Sequence, residues 1–578
     1  MSIAIARPLA SRHGGAQRQQ LIQTAHMRLM MLLLLFAAAV VVVVVRLATL
    51  ALFAGGAGGH GVFGAAPRGD ITDRNGAPLA RTIDSYAIGV HPGALLGDPS
   101  EIADKLASLM PDHDRGFFYG LLTRKVNFTY LQRRASPALV EAVNAIGEPA
   151  IVYEHDSQRL YPQSTMAAHA LGYIGTFAGD NRVRGRLGME RVLDERLSNP
   201  ATAGAPVALS LDTRVQAAME SELQRAVNTF GARAAAGVVL DVHTGEVISL
   251  VSLPTFNPNR VGMAGVEQLR NSVTQNVYEL GSTFKPLTMA TAIDNGIVTS
   301  MTRRFDATAP LHVGGFVIHD EKSDPKRWMN IPETLIYSSN VATARIADEI
   351  GAARMQATFR KLRFDAKPQI ELNEKGHPLW PRYWARTTTM TTGYGHGIAI
   401  TPLQLASAYA ALVNGGIWRP TTMMKVAAGQ AIPGRRVFSE ATSARMRQLL
   451  RLVVLYGTGR KGDAPGYRVG GKTGTAEAAV AGGYDHHRNV ATFVAAFPMD
   501  APRYVVLAML DSPNGTKETG GWKTAAWNAA PAVGRVIART GMMLGVMPDL
   551  RRDVDESDLA PSLSLVAGAV PPTGGEEQ

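Results

Sequence analysis

The first 70 positions are sorted sharply by polarity. Leu29 to Val45 is a run of 17 apolar residues, Arg46 interrupts it, and Leu47 to Phe53 resumes the pattern. A helix needs about 20 apolar residues to cross the hydrocarbon core of a bilayer. Residues 29–53 reach that length if Arg46 snorkels toward an interface. Arg7, Arg12, Arg18 and Arg28 precede the run and the first acidic residue is Asp70. This bias predicts a cytoplasmic tail at 1–28 and an extracytoplasmic remainder. The apolar stretch is longer than the core of a cleaved signal peptide, so a retained single-pass anchor is expected.

Farther on, the pattern alternates between β-rich runs and helical segments. Gly237–Val242 and Glu246–Ser252 are joined across His243-Thr244-Gly245, a hairpin signal. Tyr467–Thr475, Asn489–Phe497 and Arg503–Leu510 are three more β-rich runs, the last two joined by a turn at 498–502. Helical segments follow Asp212, lie around Trp522–Arg539, and fill the long insertion between the strand groups. Five locally pairing strands among helices predict an α+β fold with a five-stranded antiparallel sheet. The expected domains are a Gly-rich linker at 54–67, a mixed region with no obvious catalytic cluster at 68–205, a domain with the clearest alternation of elements at 206–548, and a disordered acidic, Pro- and Gly-rich tail at 549–578.

Composition narrows the chemistry. The chain has 578 residues and no cysteine. Thiolate nucleophiles, iron–sulfur clusters and Cys-type zinc sites are therefore excluded, and covalent catalysis falls to Ser, Thr, Lys or a carboxylate. The net charge of +11 is compatible with nucleic-acid binding. No basic run or aromatic-interleaved patch supports that use, and no nucleic-acid partner is expected.

Ser282-Thr-Phe-Lys285 has the S-x-x-K form, as does Ser323-Asp-Pro-Lys326. Context separates them. Ser282 precedes a largely apolar segment ending at Asn295-Gly296, and Pro286 is tolerated only near a first turn, so a helix must begin close to Ser282. That helix sets Ser282 and Lys285 a turn apart on one face, aims free N–H groups at the serine, and buries the lysine so that its amine can accept the serine proton. An S-x-N at Ser338-Ser-Asn340 and a K-T-G-T at Lys472-Thr473-Gly474-Thr475 follow in order. The set suits acyl transfer. Ser282 is the nucleophile, Lys285 the base, and Ser338 the proton relay; Asn340 holds the lysine and the substrate amide. Lys472 keeps Lys285 neutral and attracts a substrate carboxylate, to which Thr473 and Thr475 donate, while Gly474 leaves room for the substrate backbone. The N–H groups of Ser282 and Thr475 are the expected oxyanion hole.

These motifs, in this order, are the set of penicillin-binding proteins and class A β-lactamases. The chain resembles a class B penicillin-binding protein over roughly residues 40–540. Arg68-Gly-Asp-Ile-Thr-Asp73-Arg74-Asn75-Gly76, Arg159-Leu-Tyr161-Pro162 and Gly188-Met-Glu190 are similar to that family's pedestal motifs. Leu209–Gln216, Asp241–Glu246 and Phe256-Asn-Pro-Asn259 are similar to the opening of its transpeptidase domain. Leu280 stands where the family has proline, a departure expected to alter loop stiffness more than mechanism. The region before the catalytic domain is too short for a glycosyltransferase. Ser338-Ser-Asn340 and Gly393-Tyr394-Gly395 resemble the division-specific septal branch, the penicillin-binding protein 3 type.

The resemblance implies a penicillin-binding/β-lactamase-like transpeptidase fold and a D,D-transpeptidase that cross-links peptidoglycan stem peptides at the septum, with β-lactams acylating the same serine. It implies a single pass through the cell inner membrane with the catalytic domain in the periplasm. Implied partners are the D-Ala-D-Ala stem peptide, a polytopic glycan polymerase and other division proteins, with no metal or cofactor. Two alternatives stand beside it: a D,D-carboxypeptidase or β-lactam hydrolase, and a catalytically silent penicillin-binding receptor or scaffold. Several other features are expected to be structural. Asp485-His486-His487 reads as a solvated loop rather than a metal site, Thr387–Thr392 as a hydrogen-bonded segment near the cleft, and Trp522 and Trp527 as packing for a terminal helix.

Overall fold

The computed structural model describes residues 14–53 and 68–559, apart from 84, 157, 178–179, 200, 202–204, 323, 431 and 481–482, and also residue 562. The expected linker at 54–67 lies outside the described residues, as does Ser323 of the second S-x-x-K. The chain divides into two compact units, 1–65 and 66–578.

In the first unit one helix runs from Gly14 to Phe53, and its segment His26–Val45 is apolar and long enough to cross a membrane once. The helix starts well before the apolar run. Gly14 to Arg28 contains no proline and several good helix formers, so nothing ends the helix at the polarity boundary.

In the second unit the motifs of the pedestal meet one another. Glu190 is fully buried and takes Arg68 on Oε2 at 2.8 Å and Arg159 on Oε1 at 2.7 Å. Other motif residues tie the pedestal to the catalytic region. Asn75 Nδ2 donates to Asp212 Oδ2 at 3.0 Å, Thr213 donates to Asp73, and Tyr161 and Asn259 exchange two hydrogen bonds. The expected boundary at 205/206 is not a break in packing. Val207–Ala208 pairs in parallel with Ile71–Thr72 and forms the edge of a pedestal sheet.

The catalytic region is built on five strands: β1 (Ala234–Asp241), β2 (Val247–Leu253), β3 (Gly470–Val480), β4 (Gly483–Phe497) and β5 (Tyr504–Asp511). Their order is β2-β1-β5-β4-β3 and every pairing is antiparallel, with Lys472 opposite Val494 and Val494 opposite Leu507. Successive side chains of a strand face opposite sides. Here both sides are covered: Val238, Val494 and Leu507 join the core beneath the helical insertion, while Val239, Phe493 and Val506 join a second core. The second core holds α1 (Thr213–Phe230) and α8 (Ala529–Thr540). The insertion supplies α2 (Lys285–Asp294), α3 (Ile331–Ile336), α4 (Asn340–Lys361), α5 (Arg386–Gly393), α6 (Pro402–Val413) and α7 (Glu440–Tyr456).

Three expectations need correction. The described part of the tail is docked rather than disordered: Asp553 pairs with Arg451 at 2.7 Å, Asp558 with Arg445 at 2.6 Å, and Leu559 is fully buried. Its acidic composition, which suggests solvation, is matched by the arginines of α7; residues 563–578 lie outside the described residues. Asp485, His486 and His487 belong to β4, because the β3–β4 hairpin extends well past the apolar runs. Trp522 and Trp527 precede α8 rather than lying on it; Trp522 is exposed, and Trp527 lies beneath the Lys461 ammonium, 3.7 Å from its ring centroid.

Candidate active site

Ser282 lies in a tight 3₁₀ turn, Gly281–Phe284, that runs directly into α2 with Pro286 in the first turn. The turn is held from several sides. Thr283 Oγ1 donates to the Leu280 carbonyl at 2.8 Å, and the buried Tyr409 hydroxyl of α6 donates to the Thr283 carbonyl at 2.8 Å. Phe284 packs against Phe359 and Phe364. Ser282 itself remains half-exposed, while Lys285, one turn on, is fully buried.

Two glycines let neighbouring backbone close on this turn. A Cβ at Gly474 would sit 2.3 Å from the Leu280 carbonyl oxygen, and one at Gly395 would sit 2.1 Å from the Gly281 carbonyl oxygen. Real Cβ contacts do not approach so closely. Gly474 therefore admits the Ser282 turn against β3, a constraint beyond the room for substrate backbone expected of it.

The S-x-N motif joins α3 to α4. Ser338 adopts φ +61°, rare for a residue with a side chain, and directs both its polar groups inward. Lys285 Nζ donates to the Ser338 carbonyl and to Ser338 Oγ, the latter at 3.1 Å. Lys472 Nζ reaches the same Oγ at 2.9 Å and the Thr473 carbonyl at 3.0 Å. One hydroxyl thus bridges both lysines. The turn is anchored by Asp320, which accepts from Ser339 Oγ at 2.7 Å and from the N–H groups of Asn340 and Val341 at the start of α4. Asn340 does not hold the lysine: its Nδ2 donates to the His319 carbonyl at 2.9 Å. Among the described residues no hydrogen bond joins Ser282 to Lys285, whose amine is turned toward Ser338.

Electrostatics follow from burial. Lys285 is lowered to about 7, first by desolvation, against the opposing charges of Asp320, Asp324 and Glu321. Lys472 is lowered well below the ordinary lysine range by burial and by the charge of Lys285. The sequence reading credited Lys472 with keeping Lys285 neutral. Burial is the cause that lowers Lys285, and Lys472 is not among the groups that shift it; the charge of Lys285 instead lowers Lys472. Asp324 is raised to about 6 by burial and by the Asp320 charge.

Thr473 is nearly buried, its hydroxyl 2.7 Å from that of Thr458, and Thr475 Oγ1 accepts the Ala525 N–H at 3.1 Å. Thr387–Thr392 lies wholly on α5, with Thr288 of α2 donating to the Gly393 carbonyl at 2.7 Å. The fold therefore gathers Ser282, Lys285, Ser338, Lys472, Thr473, Gly474 and Thr475 into one cleft, with Asn340 at its edge. Sequence reasoning missed Asp320, Asp324, Tyr409, Thr458 and Ala525. Asp324 lies in the second S-x-x-K, which context set aside, and the others lie in no recognisable motif; only the packed fold delivers them. Among the described residues no group of three or more His, Cys, Asp or Glu side chains is arranged to hold a metal.

Comparison with known proteins bears on the fold and the family. Residues 235–531 match the penicillin binding protein transpeptidase domain, and residues 64–201 match the penicillin-binding protein dimerisation domain. The chain is 40% identical over 523 residues to the probable peptidoglycan D,D-transpeptidase FtsI of Caulobacter vibrioides, covering 86% of this chain and 85% of that one. It is 28% identical to the peptidoglycan D,D-transpeptidase FtsI of Escherichia coli K12, covering 85% and 86%. Among solved structures, penicillin binding protein 3 from Mycobacterium tuberculosis complexed with aztreonam superposes with a TM-score of 0.65 at 26% identity, covering 84% of this chain and 98% of that one.

Proposed function

The chain belongs to the penicillin-binding protein transpeptidase family, and from that premise we propose that it is a septal peptidoglycan D,D-transpeptidase of the FtsI type, acylated by β-lactams at Ser282. The observation that carries the residue assignments is the convergence of Lys285 and Lys472 on Ser338 Oγ beside the Ser282 turn. Ser282 Oγ attacks the carbonyl carbon of the D-Ala–D-Ala bond, and its proton passes to the neutral amine of Lys285, which swings from Ser338 as substrate binds. A depressed lysine pKa near the working pH suits a general base. Ser338 Oγ, in contact with both amines, returns a proton to the departing D-Ala amine. The acyl group remains on Ser282 until an amine from a neighbouring stem peptide attacks it. Ser282 and Thr475 N–H groups stabilise the oxyanion in each half-reaction. Lys472, Thr473 and Thr475 receive the terminal carboxylate, and Asn340 orients the substrate amide.

The domain and membrane assignments complete the reading: a cytoplasmic tail at 1–28, an inner-membrane anchor at 29–53, and a pedestal at 68–205 that carries the catalytic domain in the periplasm. Anchor and pedestal are the surfaces for a polytopic glycan polymerase and other division proteins.

Intact-mass spectrometry after incubation with benzylpenicillin tests the assignment. The residue 66–578 unit should gain one penicilloyl group on Ser282, and Ser282→Ala should gain none. Rapid drug turnover would indicate a hydrolase instead, and an intact drug with no adduct would sink the acyl-enzyme reading.

A further inference from the structure

Two hydroxyls of the K-T-G-T segment face donors that lie outside every motif. Thr475 Oγ1 accepts the backbone N–H of Ala525. Thr473 Oγ1 lies 2.7 Å from Thr458 Oγ1 and 3.4 Å from Lys472 Nζ. A threonine hydroxyl has one hydrogen and two acceptor positions. When neighbouring donors occupy the acceptor positions, its own hydrogen is left for a ligand. Ala525 occupies one acceptor position of Thr475 without ambiguity, because a backbone N–H can only donate. The carbonyl of Lys523 in the same loop is held in turn by the side chains of Asn489 and Asn528.

Thr458 occupies the matching place beside Thr473, and its position is tightly set. It belongs to the turn that leaves α7, between Gly457 and Gly459, whose N–H groups both donate to the Val453 carbonyl. A Cβ on Gly457 would lie 2.6 Å from the Ile336 carbonyl, so this turn is pressed against the end of α3, two residues before Ser338. The turn therefore joins the strand bearing Lys472 to the helix that delivers the proton relay.

Resting on the transpeptidase reading above, we infer that Thr458 is a positioning residue for substrate recognition: its hydroxyl donates to Thr473 Oγ1, so that the Thr473 hydrogen is presented to the terminal carboxylate of the stem peptide or to the carboxylate of a β-lactam. Such a donor chain also polarises Thr473 and strengthens its bond to the anion. A general loss of packing would slow acylation by every substrate, whereas loss of this relay falls on substrates that carry the anion.

The test compares Ser282 acylation rates for benzylpenicillin and for its methyl ester, which lacks the negative charge. Wild-type protein should favour the free acid. Thr458→Val keeps the shape but removes the hydroxyl and should lower the acid-to-ester ratio about tenfold, the scale of one hydrogen bond to a charged group. Thr458→Ser should restore it, and Thr458→Ala, with melting followed by circular dichroism, supplies a second hydroxyl-free variant should the valine fail to fold. An unchanged or raised ratio in the hydroxyl-free variants would overturn the inference, as would a serine variant that fails to rescue or a wild-type protein indifferent to the ester. A wild-type protein acylated by neither compound would instead overturn the transpeptidase reading, and this inference with it.

Discussion

Lys285 concentrates the chemistry in one titration. Its amine is lowered to about 7 chiefly by burial, and in the proposed mechanism only the neutral form accepts the serine proton. Protonated lysine dominates below that value, so the acylation rate by benzylpenicillin should rise with pH through about 7 and level off above it. Asp324, Asp320 and Glu321 all act in the opposite sense, favouring the charged amine. Asp324 itself is ionised above about 6. Asp324→Asn removes one of these charges, lowers the Lys285 pKa further, and should move the ascending limb to lower pH; a limb that stays put or moves upward would contradict this account. Gly474 sets a different residue-scale limit. An added methyl would lie 2.3 Å from the Leu280 carbonyl and must displace the Ser282 turn from β3. Overpacking of this kind costs about 1–3 kcal/mol, and a shift of an ångström at a reacting group costs on the order of 100-fold in rate. Gly474→Ala should therefore lose far more acylation rate than thermal stability, measured side by side by stopped-flow acylation and calorimetry.

At the scale of elements, two ion-pair clusters, each centred on a buried charge, join segments distant in sequence. Glu190 sits between Arg68 and Arg159, both carboxylate oxygens engaged and fully removed from solvent. Neutralising one member of such a group strands the other charges, at about 3–5 kcal/mol. Glu190→Gln should lower the stability of the 66–578 unit by that order in denaturant unfolding, and a loss within error would contradict it. Arg451 of α7 performs the second junction. It is nearly buried, pairs with Asp463 and Asp553, and donates to the Val469 carbonyl just before the strand that carries Lys472. The docked tail is thus linked through Arg451 to the start of the strand that carries Lys472, and the Ser562 carbonyl meets Asn330, the cap of α3. A chain ended at Leu550 should melt earlier and react more slowly with a fluorescent penicillin; equal melting would mean that the tail is only laid against the surface.

For the molecule as a whole, the pedestal and catalytic region share a sheet edge, the Asp73–Thr213 and Asn75–Asp212 bonds, and the paired bonds between Tyr161 and Asn259. A soluble chain beginning at residue 66 should therefore unfold in one calorimetric transition; two well-separated transitions would show that the seam is weak. Much of this architecture was legible beforehand. Polarity along the chain determined the N-terminal apolar helix and the five strands, because burial on both faces of a sheet requires continuous apolar runs, and those are a local property. Absence of cysteine together with the order of Ser282, Ser338 and Lys472 singled out the residues proposed as nucleophile and partners. Tertiary structure alone decided that Gly474 makes room for the nucleophile turn, that Asn340 bonds the His319 carbonyl instead of Lys285, and that Asp320, Asp324 and Thr458 line the cleft. It also decided the docking of the acidic tail, whose composition reads as solvated until the arginines of α7 are brought beside it. The division has one physical cause. Periodicity and turn chemistry act between residues a few positions apart, whereas desolvation, hydroxyl orientation and van der Waals contact depend on every atom packed around a group, whatever its distance along the chain.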